Sequence, residues 1–295
     1  MLNQRQKITT NEILPLTCTR EGSCCHGNQV LLNPWELALL ASQNKLTTKD
    51  FKNTFTEDGG IRLKFNGKEN KYLKKSCSLY SEEIGCSSHE NRPLACRLFP
   101  IGRQIQENKI AYFFEGEQFP CFKECPNVTN LKSLKLEEYL KGQKIKNHEY
   151  AQDAYLEVTQ NLADIALTLL LDTNLTNEEQ RKTIQKWKDL GEFSLEKLTQ
   201  NTAEEIINIT TTPEIDINLS SPKQFIEAHN EILQLYIQKR YNKSHTKNEI
   251  ITTCINAMEI SLLIAAAIGA NIFELSEHWI EIALSHIEKK IKKNF

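Results

Sequence analysis

Residues 77–100 read CSLYSEEIGCSSHENRPLACRLFP. Cys77, Cys86 and Cys96 stand here in the irregular spacing Cys-x8-Cys-x9-Cys, and the last is framed as Arg92-Pro93-x-x-Cys96-Arg97-x-Phe99-Pro100. Working outward, Cys18-x5-Cys24-Cys25 lies upstream and Cys121-x3-Cys125 downstream. Eight of the nine cysteines therefore fall in the first 125 residues, and only Cys254 lies beyond. Such clustering marks either a disulfide framework or a metal site.

Context disfavours disulfides. The N-terminus, MLNQRQKITTNEILPL, has no apolar run of signal-peptide length and no small-residue cleavage site after one. The chain is thus expected in the cytoplasm, where a reducing medium keeps thiols free. At 295 residues it can bury a core without covalent staples. Adjacent Cys24 and Cys25 would also need two separate partners. Metal or cluster binding is preferred over disulfides and over plain buried thiols.

Composition is that of an ordinary globular protein, with 40% hydrophobic and 25% charged residues. The net charge of −2 advertises neither nucleic acid nor a membrane. Residues 1–150 carry 22 Lys and Arg against 17 Asp and Glu, whereas 151–295 carry 14 against 21. Metal-bound thiolates would cancel part of the positive balance of the first half. The longest apolar stretch, SLLIAAAIGANIF at 261–273, is shorter than the ~20 residues of a membrane span and is expected to be a buried core helix.

Nine of 11 glycines lie at or before Gly142, and six of eight prolines at or before Pro126, so the first half is turn-rich. One helix is expected there, from about 34 to 43, opened by Asn33-Pro34-Trp35-Glu36. DGGIRLKFNG at 58–67 alternates like a strand and is expected to pair with 110–114. Beyond it, apolar residues recur with a helical period over 150–171. Capping signals at Thr176 and Ser221 open two more helices, and 248–270 and 272–293 complete the set. The expected fold class is α+β, predominantly α. A cysteine-rich, metal-organised domain with short strands spans 1–130, an all-helical domain spans 131–295, and a linker falls at 208–220.

At the cysteines the chain resembles the YkgJ-type cysteine-cluster proteins, the CxxCxxCC family of zinc- or iron-chelating proteins. Their hallmark is C-x2-C-x2-C-C followed by Cys…Cys…R-P-x-x-C-R-x-F-P. The resemblance covers roughly 16–126 and is most specific at RPLACRLFP, 92–100. Glu21 replaces the second cysteine of the pattern, and His89 stands where a tyrosine is usual. The resemblance implies a metal held from among Cys18, Glu21, Cys24, Cys25, Cys77, Cys86, Cys96, Cys121 and Cys125. Glu21 is a harder donor than thiolate, or else a solvated loop acid.

Thiolate sets of this kind hold structural zinc or an iron–sulfur cluster. Zinc knuckles are spaced Cys-x2-4-Cys, which only Cys121-x3-Cys125 satisfies. An adjacent pair with wide spacings elsewhere suits a polynuclear centre. Iron, as [4Fe–4S] or a related cluster, is therefore favoured over zinc. Cys121 and Cys125 are alternatively a separate zinc half-site or buried thiols. Arg92 and Arg97 are candidates for holding an anionic cofactor or substrate. Alternatively they offset thiolate charge, or Arg92-Pro93 shapes the turn presenting Cys96 while Arg97 bonds carbonyls. His26 is expected at the surface, and Cys254, His278 and His286 are expected to be structural.

The sequence has no Gly-x-Gly-x-x-Gly and no phosphate-binding Gly-x4-Gly-Lys-Ser/Thr. It also lacks the Cys-x3-Cys-x2-Cys of radical S-adenosylmethionine enzymes. The leading expectation is a cytosolic iron- or zinc-binding protein with a structural or redox role. A more distant resemblance, to flagellin lysine N-methylases, implies S-adenosylmethionine as cofactor, a protein client and protein lysine methylation. A metal carrier or sensor is the third alternative. Whether the chain is an enzyme stays open at the level of sequence.

Overall fold

The computed structural model describes residues 6–15, 22–71, 73–106, 109–114, 133–218 and 221–293. In chain order the first elements are β1 (Gln6–Ile8), β2 (Ile13–Pro15), α1 (Pro34–Gln43), α2 (Thr48–Phe55), β3 (Thr56–Glu57), β4 (Arg62–Leu63), β5 (Tyr80–Ser81) and β6 (Gly85–Cys86). Next come α3 (Leu94–Leu98), β7 (Ile101–Gln106), β8 (Lys109–Phe114), β9 (Ser133–Lys135) and α4 (Leu136–Gly142). The remainder is helical: α5 (Lys146–Asp172), α6 (Asn177–Gly191), α7 (Leu195–Asn201), α8 (Glu204–Thr211), α9 (Pro222–Asn242), α10 (Lys247–Ala267) and α11 (Ile272–Lys293). The fold is α+β and predominantly α, with the strands concentrated in the N-terminal region.

The chain divides into two compact units, Met1–Val30 with Leu63–Glu149, and Leu31–Arg62 with Tyr150–Phe295. The first is built on a small antiparallel sheet in the order β1-β8-β7, with Ile8 opposite Tyr112 and Gly102 opposite Phe113. β2 pairs with β9, and β5 with β6. Its core joins Ile8 and Ile101 of the sheet to Leu94 and Leu98 of α3 and to Leu136, Tyr139 and Leu140 of α4. The expected pairing of 58–67 with 110–114 does not form. β8 pairs instead with its sequence neighbour β7, because a short turn closes at little entropic cost. Within 58–67, Gly59 and Gly60 adopt φ +66 and +109, which ends the extended run in a 3-10 turn and leaves only Arg62–Leu63 as strand.

In the second unit a single apolar core joins Trp35, Ala38 and Ile61 to the buried faces of the long helices. The helix starts are sealed locally. Asn33 accepts from the Glu36 N–H at 3.0 Å, and Thr176, Ser221 and Thr246 each form reciprocal capping boxes. α10 is long and apolar enough to cross a membrane, yet it is buried on most of its surface, packed against α6, α8 and α9. The stretch 208–220 does not begin as a linker, because residues 208–211 close α8. Thr210 and Thr211 are buried there and return their hydroxyls to the carbonyls of Ile206 and Ile207.

Candidate metal centre

The cysteine pair Cys24–Cys25 sits on a 3-10 turn, Ser23–Cys25, entered through Gly22 at φ +77. Glycine is required here twice over. The backbone is left-handed, and a Cβ on Gly22 would run into the Tyr80 ring. The Cys25 N–H closes the turn on the Gly22 carbonyl at 2.8 Å, and His26 Nδ1 donates to the same carbonyl at 2.8 Å. A bridge between His26 and Ser76 stitches this turn to the following hairpin, with Cys77 N–H donating to the Cys25 carbonyl at 2.7 Å.

Cys86 closes the β5–β6 hairpin opposite Tyr80. Ser87 pins that hairpin by donating its N–H to Leu79 O at 2.8 Å. Cys96 sits on α3, between Ala95 and Arg97. Three separate segments thus carry thiols within electrostatic reach of one another. Cys25 donates its S–H to Cys24 and feels the charges of Cys24, Cys96 and Cys86. That hydrogen bond, together with burial and the neighbouring thiols, holds its ionisation far above the ordinary thiol range. Cys77 is buried, and burial pushes its thiol up to about 11, partly opposed by a Leu79 N–H donated to the sulfur. The neighbouring Cys86 thiol adds to the rise. Tyr80 lies in the field of Cys25 and Cys24, and burial first, then Cys25, Glu82 and Cys24, raise its phenol. No disulfide joins any of Cys24, Cys25, Cys77, Cys86, Cys96 and Cys254.

Crowded thiols that resist ionising because of one another are what a thiophilic cation relieves. A bound metal deprotonates its thiols outright and reverses the repulsion. By that chemistry the donor set fits zinc or iron, and among the described residues Cys24, Cys25, Cys86 and Cys96 would hold it, with Cys77 alongside. Among the described residues no three of His, Cys, Asp and Glu stand preassembled to hold an ion. Cys18, Glu21, Cys121 and Cys125 lie outside the described residues. Cys254 is remote in sequence and fully buried in the helical unit, its S–H donated to the Ala166 carbonyl at 3.2 Å.

The two arginines of the motif are occupied by main chain. Arg97 donates from Nε to Arg92 O at 2.8 Å, from Nη1 to Gln143 O at 2.8 Å, and from Nη2 to Glu90 O. Arg92 donates to His89 O at 2.8 Å and to the Gln143 side chain, with its Nη1 also 3.0 Å from the His89 ring nitrogens. Sequence reasoning passed over Tyr80, Tyr139 and Gln143. Tyr80 was legible as the aromatic in CSLY, three residues after Cys77, whereas nothing local marks the other two.

Comparison with known proteins places these observations. No curated protein and no solved structure matches the chain. The model of the CxxCxxCC family, described as "Putative zinc- or iron-chelating domain", matches residues 17–115, about a third of the chain. That segment takes in the Cys24–Cys25 turn, Cys77, Cys86 and the Cys96 helix, and over this span the chain is similar to the CxxCxxCC family.

Proposed function

We propose that the first unit is an iron-binding module in which Cys24, Cys25, Cys86 and Cys96 hold an iron–sulfur centre, acting in the cytosol in a structural or redox role. The observation that carries this is an adjacent cysteine pair, Cys24–Cys25, with the thiols of Cys86 and Cys96, from two further segments, within electrostatic reach of Cys25. One tetrahedral zinc is ordinarily held by paired knuckles, and neither Cys24–Cys25 nor the 86/96 pair has that spacing. A polynuclear centre offers neighbouring side chains different metal ions to reach. Such a centre exchanges electrons singly. The chain supplies the thiolates, the N–H donated to sulfur from Leu79, and a Tyr80 ring beside the pair. Each of these would influence a bound cluster through hydrogen bonding and local polarity.

The test is purification without oxygen, followed by a visible absorption spectrum and iron, zinc and acid-labile sulfide per chain. Iron and sulfide in equal amounts, up to about four of each, with a broad visible band support the proposal. A colourless protein holding zinc and no sulfide overturns the iron reading and leaves a zinc-chelating domain.

A further inference from the structure

We infer that α4, beyond the residues that match the chelating family, is a working part of the metal centre, with Tyr139 and Gln143 as positioning residues for Cys96. This rests on the metal-centre reading above. Cys96 rides on α3, a helix of five residues that cannot persist on its own. Polar contacts to α4 and its end hold it. Arg97 is 6% exposed, and its guanidinium is spent on the carbonyls of Arg92, Gln143 and Glu90. The Gln143 carbonyl stands at the C-terminal end of α4, where orphan carbonyls and the helix dipole favour a cation. Tyr139, 3% exposed, shares its hydroxyl proton between Phe99 O at 2.7 Å and Arg97 O at 3.0 Å.

The turn that presents Cys96 is therefore gripped from within, by Arg97, and from behind, by Tyr139. Both grips end on one helix or its C-terminal cap, 40 or more residues away in sequence. The buried Arg97 bonds are charge-assisted and strong, and each of these bonds, the neutral Tyr139 ones included, is costly to leave unmade. Where Cys96 stands relative to Cys24, Cys25 and Cys86 is set by α4 through these bonds. Neither Tyr139 nor Gln143 is offered as a ligand.

The test uses the full chain and two tyrosine variants matched in chemistry. Tyr139→Phe removes one buried hydroxyl and keeps the ring. Tyr112→Phe does the same in the same unit, losing a 2.6 Å bond to Glu149 that does not involve the 89–99 turn. Two readouts are taken: the rate at which bound iron or zinc passes to a chelator, and amide hydrogen exchange over 94–99 in the metal-free, reduced chain. Tyr139→Phe is expected to release metal at least about tenfold faster and to exchange faster at 94–99, whereas Tyr112→Phe changes neither. Arg97→Lys, which keeps the charge and loses the fork, should move both in the same direction. Equal behaviour of the two tyrosine variants overturns the positioning role. A wild-type chain that holds no metal defeats the metal-centre reading instead, and the exchange comparison then decides the grip on Cys96 by itself.

Discussion

Gly22 carries a heavy constraint for its size. Its positive φ and the Tyr80 ring over it leave no room for a side chain. Gly22→Ala should destabilise the first unit by about 1–3 kcal/mol, read as a lower denaturant midpoint, because the turn must leave the left-handed region or displace the ring. An unchanged midpoint would mean that Tyr80 yields freely. The thiols allow a sharper contrast. Cys86→Ser should abolish stoichiometric metal, whereas Cys254→Ser should leave the metal content untouched, because the latter thiol is spent on a helix carbonyl inside the other core. Metal retained by the first variant and lost by the second would refute the assignment of donors.

Among the elements, α9 contributes a pH dependence unrelated to any metal. Its His229 is fully buried, with Nε2–H donated to Ile209 O at 2.8 Å and Nδ1 accepting from Tyr155 at 2.9 Å. Burial lowers its pKa from 6.5 to about 4. Below pH 6.5 the unfolded chain takes up a proton that the folded chain refuses. Stability present above that pH is therefore lost as the pH falls toward 4, by on the order of 3 kcal/mol. His229→Gln should flatten this fall between pH 6.5 and 4 in denaturation measured across the range, and an undiminished slope would place its origin elsewhere. The helices themselves were readable in advance. The span 34–43 and the starts after Thr176 and Ser221 follow from caps and apolar period alone. α2, α7 and α8 escaped notice because each is only seven or eight residues long, too short for a period to stand out.

For the whole molecule, the two units have separate cores of very different size. Among the described residues, the first is centred on a cluster of eight buried apolar side chains with a few flanking ones. The second unites the long helices in one continuous core. Metal binding is folding energy for a small cysteine-organised unit. Removing metal with a chelator should therefore lower or abolish one calorimetric transition and leave that of the helical core near its original temperature. A single transition that falls as a whole would show the units unfolding together.

The sequence by itself determined that the cysteine-rich part resembles a chelating family, and where most of the long helices start. Ligand chemistry is written in residue type and spacing, and caps and helical period are local properties that need no partner elsewhere in the chain. Tertiary structure decided what meets what. It packs α1 into the helical core and pairs β8 with β7 and β1. It also brings Cys25 within the field of Cys86 and Cys96, and ends the Arg97 guanidinium on Gln143. Those contacts join segments tens of residues apart. Closing such loops costs entropy that only the assembled core and its buried polar bonds offset, so no local pattern announces them.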